Sequence, residues 1–257
     1  MTGTIVLDVD GVILLGSGAV PGAGAALQVL RRRGFRMVVA TNNATRTPRE
    51  TAEHIASVTG FRFDPDCVVT SSIALAGMLG PADHPVLAVA EPGMAATLRA
   101  NGVAVTGDPQ GAATVAVGLD RGFTYDTLTD ASRAVLRGAR FIASNTDATF
   151  PTPDGLAPGA GAIVAAIETM TGRIAEVAGK PHPPMQAAVA ARLGPGPVWM
   201  VGDRPETDLA FGKAAGWITI LALTGVVGDP AEVPEEWTPD FVIGALSGLP
   251  ALLDQIR

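Results

Sequence analysis

The chain has 257 residues, 47% of them hydrophobic, enough to fill one large core or two modest ones and incompatible with a disordered tail. It sets 18 Lys plus Arg against 25 Asp plus Glu, a formal net charge of −7, so it offers no electrostatic footprint for nucleic acid or an anionic membrane, and a small partner is expected. Its single cysteine, Cys67, excludes an intramolecular disulfide and suits a reducing cytoplasm, while Met1-Thr2-Gly3-Thr4 lacks the basic region of a secretory signal. The uncharged stretch from Val12 to Leu30 is broken by Ser17, Pro21 and repeated glycines, and reads as loop and helix start instead of a membrane span.

In chain order, Thr4 to Leu7 predicts a buried strand, and Pro21 opens a helix through Leu27 and Leu30 that Arg31-Arg32-Arg33-Gly34 stops, with basic residues meeting the negative helix end. Arg36 to Ala40 predicts a second strand. A helix starts at Thr47-Pro48-Arg49-Glu50 with the spacing of a capping box. Cys67-Val68-Val69 predicts a third strand, Ser71 to Leu79 a helix, and Gly80 to Pro85 a boundary. Beyond it the pattern restarts with strands at Val86 to Ala90, Thr114 to Val117 and Arg140 to Ala143, and helices at Met94 to Asn101, Thr127 to Arg137 and Ala162 to Thr171. From Val177 the chain returns to its first unit with helix Met185 to Arg192, strand Val198 to Val201, helix Thr207 to Ala215, strands Thr219 to Leu223 and Phe241 to Ile243, and a last helix to Ile256. Strands alternating with helices argue for an α/β fold, a doubly wound parallel sheet with helices on both faces. The expected division is a core of residues 1–80 and 178–257, interrupted by an α/β insertion over residues 81–177.

Four short segments carry the chemistry. Asp8 and Asp10 end the first strand, two apart, so both side chains can lean to one side while Val9 points into the core. Asp203 ends a later strand and Asp208 starts the next helix. Carboxylates converging at the exits of parallel strands repel one another, by about 4 kcal/mol per pair at about 4 Å and an effective dielectric near 20, unless a divalent cation offsets them. A screened carboxylate can attack phosphorus, with a second carboxyl as acid and base. Thr41-Asn42-Asn43 closes a neighbouring strand with a hydroxyl and backbone N–H groups suited to phosphoryl oxygens, although taken alone it reads more readily as an Asx turn. Gly179-Lys180-Pro181 presents one of only two lysines in the chain, either a solvated loop residue or a fixed charge facing a phosphoryl group. His182, His54 and His84 with one cysteine assemble no zinc cluster. Gly22-Ala23-Gly24 lacks the third glycine of a dinucleotide loop.

These segments in this order resemble the haloacid dehalogenase superfamily of phosphatases, and more narrowly subfamily IIA, the para-nitrophenylphosphatase and NagD-like branch. The resemblance extends to Val117-Gly118-Leu119-Asp120, Ala143-Ser144-Asn145-Thr146-Asp147, Phe150-Pro151-Thr152, Pro158-Gly159-Ala160-Gly161 and Leu223-Thr224-Gly225-Val226. It implies a Rossmann-like core with an inserted cap of the C2 type, and a magnesium-dependent phosphatase. Asp8 would be the nucleophile, and Asp10 would protonate the leaving alcohol and then activate water. Thr41 and Lys180 would hold the phosphoryl oxygens, with Asn42 and Asn43 adding loop contacts. Magnesium would take the Asp8 carboxylate, the Asp10 main-chain carbonyl and Asp203, with Asp208 in support. The loop from Asn145 to Gly155 would choose the substrate, Asp147 bonding a hydroxyl and Phe150 covering the carbon skeleton, or else Phe150 only plugs the insertion's own core. Valine at 9 and 12, where related chains often have leucine and threonine, is a mild departure.

The expected ligand is a small phosphate ester such as a sugar phosphate, glycerol phosphate or phosphoglycolate. Residues 81–177 carry 6 Arg and no Lys against 10 Asp plus Glu, a balance of −4 that disfavours a polyanion. A homodimer through the insertion is the macromolecular partner expected. Two other classes use similar residues: a phosphate-binding, receiver-like regulatory module without turnover, against which the insertion argues, and a nucleotide-sugar glycosyltransferase with an Asp-x-Asp metal site, which leaves Thr41 and Lys180 without a task.

Overall fold

The computed structural model describes residues 3–152 and 155–256. The chain divides into two units, one of Met1–Thr41, Arg49–Val69 and Val189–Arg257, the other of Asn42–Pro48 and Thr70–Ala188. Among the described residues no helix is long and apolar enough to cross a membrane.

The first unit is built on a six-stranded sheet in the order Phe241–Ile243, Ile218–Ala222, Val198–Gly202, Thr4–Leu7, Arg36–Thr41, Val68–Thr70. Thr4–Leu7 is buried throughout, as a central parallel strand covered on both faces must be. It pairs in parallel with both Val198–Gly202 and Arg36–Thr41. The chain therefore winds outward from this strand in both directions, and the strand order reverses there, at the kind of switch point where open sheets place ligands. Register aligns the strand exits: Leu7 lies beside Val201 and Val39, so Asp8 and Gly202-Asp203 leave neighbouring strands at the same edge.

Helix Ala23–Arg32 buries Ala23, Ala26, Leu27 and Leu30 at helical spacing against this sheet's apolar cluster. Gly34, with φ 80°, ends the turn. The basic triplet does more than cap. The Arg31 guanidinium lies 3.8 Å from the Phe61 ring centroid, and Arg33 bonds the Pro250 carbonyl at 2.7 Å and pairs with Asp254. The predicted regular helix from Thr207 instead opens as a π-turn, Pro205–Leu209, before the α-helical Ala210–Ala214. The Asp208 carboxylate accepts from the main-chain N–H groups of Asp203 and Arg204, and so shapes that turn.

The second unit has a five-stranded parallel sheet ordered Glu176–Val177, Arg140–Ala143, Thr114–Val117, Val86–Val89, Val105–Thr106. Helices Tyr125–Leu136 and Ala160–Thr171 contribute Ala131, Ala134, Ile163, Val164 and Ile167 to its core. Both edge strands escape sequence reading because two residues show no alternation. The segment predicted as an irregular loop from Asn145 is in part a hairpin: Thr149–Thr152 pairs antiparallel with Gly155–Pro158, Phe150 opposite Ala157. Its prolines argued against a strand, but each strand of a two-stranded sheet is an edge, where proline is tolerated.

Candidate active site

In the first unit three carboxylates converge. Ligand oxygens of Asp8, Asp203 and Asp208 all lie within 4.8 Å of one another, and the three residues are 8%, 2% and 1% exposed. The main-chain N–H of Asp8 donates to Val201 O at 2.9 Å, continuing the strand pairing into the site. Gly11, with φ 84°, then turns the chain, and the N–H groups of Ile13 and Leu14 both donate to Val9 O. Asp10 sits in this turn with its side chain exposed and outside the three-carboxylate group. Thr41 ends its strand almost fully buried.

A segment to which the sequence assigned no role supports Asp203. The Val226 N–H donates to its Oδ2 at 2.8 Å, and Thr224 Oγ1 donates to Gly11 O at 2.5 Å. A Cβ on Gly225 would fall 1.9 Å from Asp203 Oδ2, and one on Gly11 2.5 Å from the same atom. Only glycine at both positions lets the backbone close around that carboxylate. The donor set is oxygen alone, compact, acidic and backed by main-chain donors, which fits a hard divalent cation that keeps several waters. Among the described residues this is the only such acidic, cysteine or histidine group.

The second unit brings together Asn42, Lys180, Asp147 and Asn145. Asn42 Oδ1 accepts from the Lys180 N–H at 2.7 Å, and its Nδ2 donates to Lys180 O at 3.2 Å and to Asp147 Oδ1 at 3.1 Å. The Asn42 carbonyl accepts from Ser71 Oγ at 2.7 Å and Asn145 Nδ2 at 2.8 Å. Lys180 is 4% exposed and so is no solvated loop lysine. Asn43 closes an Asx turn, its Oδ1 accepting from Thr45 N and Oγ1. Phe150 is half-buried on the hairpin, with the Arg121 guanidinium 5.4 Å from its ring centroid and Arg121 paired to Glu91. His182 is half-buried too, and burial pushes its imidazole below its ordinary range, favouring the neutral form. Ser71, at the start of helix Ser71–Ala76, was not singled out by the sequence, and Asn145 was named only as the start of a loop, since a serine and an asparagine carry no signal until their partners are known.

A family model described as haloacid dehalogenase-like hydrolase matches residues 5–104, and a second HAD-hydrolase-like model matches residues 177–249. The acid sugar phosphatase of Staphylococcus haemolyticus is 34% identical over 224 residues, which cover 86% of this chain and 84% of that protein. The chain belongs to the haloacid dehalogenase-like hydrolases. Solved structures of this family agree in fold. The p-nitrophenyl phosphatase from Archaeoglobus fulgidus matches with a TM-score of 0.88 at 30% identity, over 97% of this chain and 98% of that one. A glycerol phosphate phosphatase from Mycobacterium tuberculosis, crystallised in complex with magnesium, matches with a TM-score of 0.86 at 33% identity, over 96% and 75%. The protein is an enzyme of the family's phosphatase branch, subfamily IIA.

Proposed function

We propose that the protein is a magnesium-dependent phosphatase that hydrolyses a small phosphate monoester through an aspartyl phosphate on Asp8. The observation that carries this reading is the buried group of Asp8, Asp203 and Asp208, whose oxygens lie within 4.8 Å of one another at the sheet's switch point. Asp8, Asp203 and the main-chain carbonyl of Asp10 would hold magnesium, which when bound screens the carboxylates and the phosphoryl charge. In the first step an Asp8 oxygen attacks phosphorus and the ester P–O bond breaks. Asp10, entering protonated, gives its proton to the departing alkoxide. In the second step the Asp10 carboxylate takes a proton from water as that oxygen attacks phosphorus, and the bond to Asp8 breaks to release inorganic phosphate. Thr41 and Lys180 bind the phosphoryl oxygens, and Asp208 keeps the Asp203 turn in shape.

For the substrate, the reading rests on the names of relatives, a sugar phosphatase and a glycerol phosphate phosphatase, and on the −4 balance of residues 81–177. We assign those residues as the substrate-selecting cap, and residues 1–80 with 178–257 as the catalytic core. The test is a panel of phosphorylated metabolites and p-nitrophenyl phosphate, assayed for released phosphate with magnesium, with a chelator, and with Asp8→Asn. Turnover should appear only with magnesium and only in the wild type. No turnover of any ester, or near wild-type kcat for Asp8→Asn, would refute the reading and reopen the receiver-like alternative.

A further inference from the structure

We infer that Asn42 is a positioning residue that fixes the main chain of Lys180, and that Asp147 serves the reaction through Asn42 instead of through a substrate hydroxyl. The inference rests on the phosphatase reading.

A side-chain amide has two hydrogens to donate and one oxygen to accept with. In Asn42 the oxygen takes the Lys180 N–H, while the amino group serves both Lys180 O and Asp147. Both hydrogens are therefore spent on protein groups. Gripping the N–H and the C=O of one residue fixes the peptide planes on either side of its Cα. That fixes the direction in which the Lys180 side chain departs. The amide must also face the right way. Flipped, it would set its oxygen against the Asp147 carboxylate and its NH₂ against the Lys180 N–H, two repulsive contacts. Asp147, as a charged acceptor, thus selects the orientation that holds Lys180.

Two further contacts support a latch. Asn42 and Asn145 are 8% and 5% exposed, and the Asn145 Nδ2 bond to Asn42 O, with the Asp147 N–H to Asn145 Oδ1 at 3.1 Å, ties the 145–147 segment to the same peptide. Hydrogen bonds buried in this way are stronger than in water and costly to leave half made. Gly179 gives the latch room: a Cβ there would lie 2.5 Å from Asn42 Oδ1 and 2.7 Å from Ser144 O.

The two roles for Asp147 differ in what its loss does to substrates with and without a hydroxyl. Full-length wild type, Asp147→Ala, Asp147→Asn, Asn42→Asp and the Asn42→Asp/Asp147→Ala double variant are assayed with magnesium on p-nitrophenyl phosphate and glycerol 3-phosphate, after thermal melts show each folded. Asp147→Ala should lower kcat by the same factor on both, about tenfold or more, within the roughly 10²-fold that an ångström of misplacement costs. Asp147→Asn keeps an oxygen facing Asn42 and should retain most activity. Asn42→Asp, which sets two carboxylates face to face, should be slower than Asp147→Ala, and the double variant no slower than Asn42→Asp alone, because the pair acts as one unit. The inference is overturned if Asp147→Ala raises KM selectively for glycerol 3-phosphate, if the two losses multiply, or if a folded Asp147→Asn is as slow as the alanine variant. A wild type that turns over neither ester nor any other instead removes the phosphatase reading itself.

Discussion

Replacing Asp208 by alanine and by asparagine should separate its hydrogen bonds from its charge. Its Oδ2 accepts from Asp203 N and Arg204 N, each at 3.1 Å, one bond buried and the other part-buried. Alanine leaves both donors without that acceptor, at about 1–3 kcal/mol each, so the loss is about 2–6 kcal/mol. For a chain of this size about 2–4 °C accompanies each kcal/mol, and because both substitutions remove the same charge the alanine variant should melt about 4 °C or more below the asparagine variant. Asparagine keeps an oxygen in place and removes one negative charge from three groups whose oxygens lie within 4.8 Å of one another. At that distance and an effective dielectric near 20, each like pair costs about 3.5 kcal/mol. Without a cation, the asparagine variant therefore sheds repulsion and should melt no lower than the wild type. With magnesium it sheds attraction instead. A 10- to 100-fold loss of affinity, the usual scale for a supporting ligand partner, removes about 1.4–2.7 kcal/mol of the stabilisation that saturating magnesium gives. The assay is a thermal melt of the three proteins in chelator and in fixed magnesium. If the two variants melt together in chelator, or if Asp208→Asn keeps the whole magnesium shift, this division between hydrogen bonding and charge is wrong.

Asp10→Asn should slow turnover by about 10²- to 10⁴-fold, the scale of a positioned acid-base group, with a smaller loss for p-nitrophenyl phosphate than for an alkyl phosphate; an equal loss on both would count against Asp10 as the acid. Arg140 bonds Glu176 through Nε and Nη2, both at 2.7 Å, and pairs with Asp83 at 3.2 Å. It holds the Glu176 carboxyl below its ordinary 4.5, whereas the Gly80 N–H is the main cause that holds Asp83 below its ordinary 3.8. Groups depressed in the folded state add stability above those ordinary values and lose it as pH falls through the lower folded ones. Arg140→Ala should therefore flatten the fall of melting temperature below pH 4.5, while the part owed to Asp83 and Gly80 survives; an unchanged acid slope would exclude the pair as its source.

The strands were legible because burial on both faces demands uniform apolar runs, and Ile5-Val6-Leu7 and Val198 to Val201 supply them within strands of four and five residues. The carboxylates were legible because they interrupt those runs at the strand exit, where a charge has no structural excuse. What stayed hidden depends on pairing and side-chain partners that composition and periodicity do not name. Thr149–Thr152 becomes a strand only through pairing with Gly155–Pro158, and local composition argues the other way. The π-turn at Pro205–Leu209 owes its shape to one side chain reaching back to two N–H groups, a contact that no periodicity shows. The Asp147 carboxylate accepts from Asn42, 105 residues earlier in the chain, a partner that no local pattern names.

The same asymmetry explains how a group of buried acids can stand in a folded chain at all. Three carboxylates held this close would drive the strand ends apart if solvent alone answered their charge. Here the chain answers part of it with oriented N–H groups, from Val226 to Asp203 and from Asp203 and Arg204 to Asp208. It frees the space for them with glycines at 11 and 225, whose Cβ atoms would occupy the Asp203 carboxylate itself. The donors compensate only in part, since each hydrogen bond delivers a partial charge against a whole one. The residual negative charge is what a divalent cation would neutralise, and because the acids are already fixed, little reorganisation opposes its binding. The glycines at 11 and 225 thus belong to the site as much as the aspartates do, although nothing in their side chains could have announced it.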